Sequence, residues 1–183
     1  MTVPRIVCRD TQLTSADGAG GRACGYHVLT MSTSYESLIP TFPLFEGFTE
    51  HGARRLIEHG TISERAAGAT VFTEGEAASG VLLVLAGDLQ VFVRRGDRDV
   101  VLTSATPGTI VGELAVLCGI PRSASVRAAV DSAVLEWSDV AFRRLLLGDV
   151  LLSQRIFSRA LRSLIDKEQS LIDSLSNSRN AAV

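Results

Sequence analysis

The chain has 183 residues, 46% of them hydrophobic, and a formal net charge of −2 at pH 7. That length can bury one good core, and the near-neutral balance offers no overall basic field for nucleic acid. No apolar run reaches bilayer-spanning length, and Cys8, Cys24 and Cys118 form no CxxC pair, so neither membrane insertion nor a disulfide or zinc framework is indicated and a reducing, cytoplasmic setting fits best.

Residues 1–37 are expected to be a disordered leader. The stretch from Thr11 to Gly21 is rich in small and polar residues and has no helix or strand period. It lacks the charged start and apolar middle of a secretory signal. Met31, followed by Ser32-Thr33-Ser34, reads as the natural start of the protein. One domain is expected over 38–175, followed by a polar tail over 176–183.

A proline-punctuated apolar approach from Leu38 to Phe48 leads to a short helix over 49–59, with Thr49 as its cap and Gly60 as its stop. Short strand-like runs follow at 70–72, 81–85, 89–93 and 99–102. Glycine turns separate them, at Glu74-Gly75-Glu76, Ala86-Gly87-Asp88, Arg95-Gly96-Asp97 and Thr106-Pro107-Gly108-Thr109. Two further strands, 125–130 and 133–137, meet at Asp131-Ser132. The pattern predicts a mainly β fold with flanking helices, an antiparallel β-roll of jelly-roll type.

Between these strands lies the segment from Gly112 to Val126, reading GELAVLCGIPRSASV. Gly112 has no Cβ, so its backbone can lie against a ligand, and Glu113-Leu114-Ala115-Val116-Leu117 can start a short helix whose free N–H groups favour an anion. Glu113 can accept hydrogen bonds from a sugar hydroxyl. Arg122 supplies a planar fork suited to two phosphate oxygens, and Ser123 adds a hydroxyl beside it. Ala124 and Ser125 are small enough to let backbone N–H groups approach a phosphate.

This segment closely resembles the phosphate-binding cassette of cyclic nucleotide-binding domains, whose usual form is Phe-Gly-Glu-Leu-Ala-Leu, a few variable residues, then Pro-Arg-x-Ala-Thr-Val. The resemblance covers roughly Thr41 to Leu175. Val111 stands where an aromatic residue is common, and Ser125 where threonine is commoner. The resemblance implies that Glu113 binds the ribose 2′-hydroxyl and Arg122 the cyclic phosphate, with Ser123 beside it and the backbones of Gly112, Leu114, Ala115 and Ala124 completing the cradle. The ligand it implies is cyclic AMP, with cyclic GMP as the alternative. Gly75, Gly87 and Gly112 fall where the roll of this family has glycine.

Beyond the roll, Ser138 can cap a helix that Gly148-Asp149 ends. The last element places Phe157, Leu161, Leu164, Leu171 and Leu175 at threes and fours, widened by Ile165 and Ile172. Such a stripe packs either on the protein's own roll or across a homodimer of terminal helices, and its extension beyond the roll favours the dimer. The family likeness also implies an apolar cap over the purine from this helix, with Ile156, Phe157, Ala160 and Leu161 as candidates; residues so spaced also serve as plain core.

His27, His51 and His59 are scattered, so no metal site is indicated. The roll segment from Gly68 to Ser138 contains no histidine, so a cupin-like metal enzyme is not expected. Cys118 reads as a small packing residue, and the pairs Arg54-Arg55, Arg94-Arg95 and Arg143-Arg144 as solvated faces. Nothing basic or long follows the last helix to read DNA. The expected function is a stand-alone cyclic nucleotide sensor acting through an unknown protein partner or its own dimer. Two alternatives stay open: a ligand-independent scaffold of the same fold, in which Glu113 and Arg122 form a structural ion pair, and a truncated transcription regulator.

Overall fold

In the computed structural model, residues 35–180 are described; the leader expected over 1–37 therefore lies outside them up to residue 34. A helical turn at 35–38 and two 3-10 turns, Ile39–Thr41 and Pro43–Phe45, lead into α1 (Glu50–Glu58). The strands are β1 (Thr61–Arg65), β2 (Thr70–Phe72), β3 (Gly80–Ala86), β4 (Leu89–Arg95), β5 (Arg98–Ala105), β6 (Ile110–Val111), β7 (Ser125–Ala128) and β8 (Ser132–Ser138). The helix α2 (Glu113–Cys118) sits between β6 and β7, and α3 (Asp139–Gly148) and α4 (Val150–Asn180) close the chain.

The strands form two four-stranded antiparallel sheets, ordered β1-β8-β3-β6 and β2-β7-β4-β5. This is the β-roll expected from the sequence. The strand β3 shows how the layers are filled. Its residues Val81 to Leu85 are all buried, and because side chains alternate across a strand they divide between two cores. Leu82 and Val84 join Leu89, Val111, Val126 and Val134 between the sheets. Val81, Leu83 and Leu85 face the helices, among Phe45, Leu56, Trp137, Phe142 and Ile156.

Trp137 ties the second core together. It is 2% exposed, and its indole N–H donates to the Leu56 carbonyl of α1 at 2.8 Å, so the helix that precedes the roll is bonded to the roll's last strand. Gly60 lies under the same ring: a Cβ there would meet the indole nitrogen at 2.9 Å.

Helix starts follow the sequence closely. Thr49 Oγ1 accepts from the Gly52 N–H at 3.2 Å, and Ser138 Oγ accepts from the Ala141 N–H at 3.2 Å, as both expected caps require. Three features differ. Tyr35 is buried in the core and Glu36 bonds Arg54, so ordered packing starts three residues before the expected domain start at 38. Strands β1 and β6 were not legible, because Thr61–Arg65 carries a single apolar residue and β6 is two residues long; both are held by pairing, β1 to β8 and β6 to β3. The helix α4 runs to Asn180, carrying the first part of the expected polar tail, since neither glycine nor proline interrupts Ser176–Asn180.

α4 packs chiefly on α3 and on the turn at Pro43–Phe45. Leu152, Ile156 and Ala160, four residues apart, form its buried stripe. Arg155 donates to the carbonyls of Leu44 at 3.1 Å and Glu46 at 2.6 Å.

Replacing Trp137 by Phe keeps an aromatic ring but strands the buried Leu56 carbonyl. A loss of about 1–3 kcal/mol in unfolding free energy is expected from that group alone. Denaturant titration of the variant against the parent chain measures it.

Candidate functional site

The segment singled out in the sequence forms one compact unit: β6, then Gly112, then α2, then a loop that returns through Arg122 to β7. Gly112 has φ +88° and ψ 4°, a left-handed conformation that lets the chain turn from β6 directly into the helix. Gly119, with φ +66°, ends the helix by donating to the Ala115 carbonyl. Glu113 occupies the first helical position, half-buried, with Leu114 half-buried and Ala115 5% exposed.

Arg122 is the centre of this unit. It is 4% exposed. One terminal nitrogen donates to the Gly112 carbonyl at 2.9 Å and the other to the Gly80 carbonyl at 2.6 Å. Its guanidinium carbon lies 3.7 Å from the centroid of the Phe72 ring. Two bonds also fix its backbone to the turn after β2: the Arg122 N–H donates to the Glu76 carbonyl, and the Gly75 N–H donates to the Arg122 carbonyl, both at 2.9 Å. Burial lowers the Arg122 pKa from its ordinary value, opposed by the carboxylates of Glu76 and Glu113. An arginine remains cationic under such a shift.

Arg122 is thus a buried cation bonded to two carbonyl oxygens, set against a ring face and lying in the field of two carboxylates. The guanidinium has five N–H donors, and two carbonyls do not exhaust them. A cavity of about 350 Å³ borders the arrangement, lined by Phe72, Ser79, Gly80, Glu136, Trp137 and Ser138 among others.

The other expected contact residues fall as follows. Ser123 is exposed and Ala124 half-buried, directly after Arg122. Ser125 turns away to a structural task, its hydroxyl accepting from the Glu74 N–H at 2.9 Å. Of the candidate cap residues on α4, Ile156 is 2% exposed within the core that faces the helices, whereas Phe157 and Leu161 are 48% and 59% exposed. Cys118, expected as packing, is exposed at the end of α2.

Two side chains of the site escaped the sequence reading. Phe72 reads as an ordinary strand residue; its place before Glu74-Gly75-Glu76 was the only signal. Arg143 lies on an exposed face, as expected, and its guanidinium also donates to the carbonyl of Val116 in the last turn of α2. That carbonyl is one of those a helix end leaves without an internal partner, and a cation is favoured there. The bond is a polar tie between α2 and α3, beside the contact of Val116 with the core that holds Phe142.

Residues 63–149 match the family model described as the cyclic nucleotide-binding domain. The chain is similar to a cAMP-dependent protein kinase regulatory subunit of Blastocladiella emersonii, 34% identical over 100 residues, which are 54% of this chain and 25% of the relative. The aligned part thus spans about a quarter of the relative's length. Among solved structures, the Thermus thermophilus catabolite activator protein superposes with a TM-score of 0.66 at 24% identity, covering 73% of this chain and 63% of the other. The regulatory domain of Toxoplasma gondii PKA, solved with cAMP, superposes with a TM-score of 0.63 at 18% identity, over 75% and 52% of the two chains.

A side chain at Gly112 would collide with the centre of the site. A Cβ there would lie 2.5 Å from an Arg122 terminal nitrogen and 2.9 Å from a Phe72 ring carbon, in a backbone conformation that L residues resist. Gly112→Ala is expected to cost more than about 1 kcal/mol in stability and to displace the Arg122 guanidinium. Thermal unfolding, with the Arg122 side-chain NMR signal as a local probe, checks both effects.

Proposed function

Since residues 63–149 belong to the cyclic nucleotide-binding domain family, we propose that this chain is a sensor for a cyclic nucleotide, with cyclic AMP as the ligand. The observation that carries the reading is the buried Arg122, held in a short helix-and-loop unit with N–H donors to spare. In this reading Arg122 receives the cyclic phosphate, helped by the Ser123 hydroxyl and the backbone N–H groups of Leu114, Ala115 and Ala124. Glu113 accepts from the ribose 2′-hydroxyl, and the open backbone of Gly112 lets the sugar approach. Cyclic AMP is favoured over cyclic GMP because the similar regulatory subunits are named for it and one structural neighbour was solved with it.

Phe157 and Leu161 supply the apolar surface over the purine in this reading, Ile156 being already committed to the core. The signal passes from α2 to α3 through Val116 and Arg143, and from α3 to α4 across the corner at Asp149, where the carboxylate accepts from the Leu152 N–H at 2.9 Å. The energy available is the difference in nucleotide affinity between the two arrangements of these helices.

A second reading rests on one observation: both Arg122 terminal nitrogens are engaged by backbone carbonyls, so the residue would be retained in a scaffold that binds no nucleotide. Calorimetric titration with cyclic AMP and cyclic GMP separates the two. Saturable binding is expected, weakened by Arg122→Ala on the order of tenfold to a hundredfold. Absence of binding to both nucleotides favours the scaffold reading.

Output runs through a partner protein or a homodimer. On α4, Phe157, Leu161, Leu164 and Ile165 are all about half exposed or more, an apolar face larger than solitary surface residues make. A dimer through this face is expected by sedimentation analysis, and the double variant Leu164→Glu, Ile165→Glu, at residues with no part in the purine cap, is expected to be monomeric with its unfolding midpoint at low concentration unchanged. Sedimentation of the parent chain as a monomer would leave the partner protein as the route.

A further inference from the structure

We propose that Phe72 is a positioning residue for the nucleotide phosphate: its ring face holds the Arg122 guanidinium in the place where the phosphate is received. The inference rests on the cyclic nucleotide reading of the site and adds a residue that the cassette does not contain. Phe72 ends β2, in the sheet that carries β7, some fifty residues before Arg122.

The geometry is that of a clamp closed from three directions. The ring lies 3.7 Å from the guanidinium carbon, which is contact distance for a stacked pair. The carbonyls of Gly112 and Gly80 hold the two terminal nitrogens, one on the cassette and one at the start of β3. Carbonyl bonds fix where two N–H groups lie, but they leave the plane free to tilt about the line joining them. A ring face removes that freedom, because a flat cation gains most when parallel to it. A phosphate arriving at the remaining N–H edge then finds the fork already aligned, and little ordering remains to be done at binding.

The ring also has a reason to stay where it is. A Cβ on Gly112 would stand 2.9 Å from the Phe72 Cε2 atom, so ring, guanidinium and the turn into α2 are stacked without space between them. Phe72 packs, partly buried, against the core between the sheets, as do Val71 and Val91. The stack is thus anchored to the roll and not to the loop.

Cation–π attraction in a desolvated site amounts to about a five- to thirtyfold factor in an equilibrium constant. Because the stack already exists in the free protein, only part of that attraction enters the affinity: Phe72→Leu, which keeps apolar bulk and removes the ring, is expected to weaken cyclic AMP binding by up to that factor, and Phe72→Tyr to restore it. In an Arg122→Ala background, Phe72→Leu is expected to add no further loss. A second readout needs no nucleotide: Arg122 side-chain resonances are expected to show a ring-current shift in the parent chain and in Phe72→Tyr, and to lose it in Phe72→Leu. Equal affinity of Phe72→Leu and the parent, equal losses in Leu and Tyr variants, or an Arg122 signal indifferent to the ring would each overturn the inference. Failure of the parent chain to bind any cyclic nucleotide removes the underlying reading instead, and the inference with it.

Discussion

A cation that is 4% exposed is costly to place in a fold, and the arrangement around Arg122 shows how this one meets the cost. Two carbonyls, one ring face and the field of two carboxylates stand in for water. They come from four separate parts of the chain. Phe72 ends β2, Glu76 lies in the following turn, Gly80 begins β3, and Gly112 and Glu113 join β6 to α2. The guanidinium can therefore be buried only when both sheets and the intervening turn are in place. The converse also holds: the backbone of Arg122 stitches its loop to the turn at Gly75 and Glu76, so the loop's position is set by the roll.

This dependence explains why glycine is required at 112 for two separate reasons. The backbone conformation there is left-handed, which Asn could adopt at some cost. The space above it is occupied by the guanidinium and the Phe72 ring, which no side chain could share. The first reason concerns the turn into α2, the second the stack itself. Gly80 shows the second kind alone, since a Cβ there would press on the Trp137 backbone across the β3–β8 pair.

Most of the fold was legible because its elements carry local signals. Glycine turns mark the ends of β3, β4 and β5, caps mark α1 and α3, and the run Val81–Leu85 is apolar without interruption. What was not legible depends on partners distant in sequence. Thr61–Arg65 becomes a strand only by pairing with β8, and the two residues of β6 only by pairing with β3. The same division runs through the site. Gly112, Glu113, Arg122, Ser123 and Ala124 were visible together because they lie in one fifteen-residue segment with a recognisable order. Phe72 and Arg143 were not, because nothing in their own neighbourhoods distinguishes a residue that stacks on a guanidinium, or one that bonds a helix end, from an ordinary core or surface residue.

Arg143 also bears on how α2 is held against α3. A helix of six residues has almost no stability of its own, since nucleation costs more than so few internal bonds return. α2 is consequently held by what surrounds it: Ala115 and Val116 in the core, Gly119 at its end, and the Arg143 bond to Val116. A change in the cassette that shifts α2 must stretch that bond or carry α3 along. α3 is joined to α4 by a single corner, at Gly148 and Asp149, and α4 rests on α3, on the turn at Pro43–Phe45 and, through Leu152 and Ile156, on the core that faces the helices. The long helix is therefore joined to the short one through a chain of packed and bonded contacts, while Phe157, Leu161, Leu164 and Ile165 on it stay exposed.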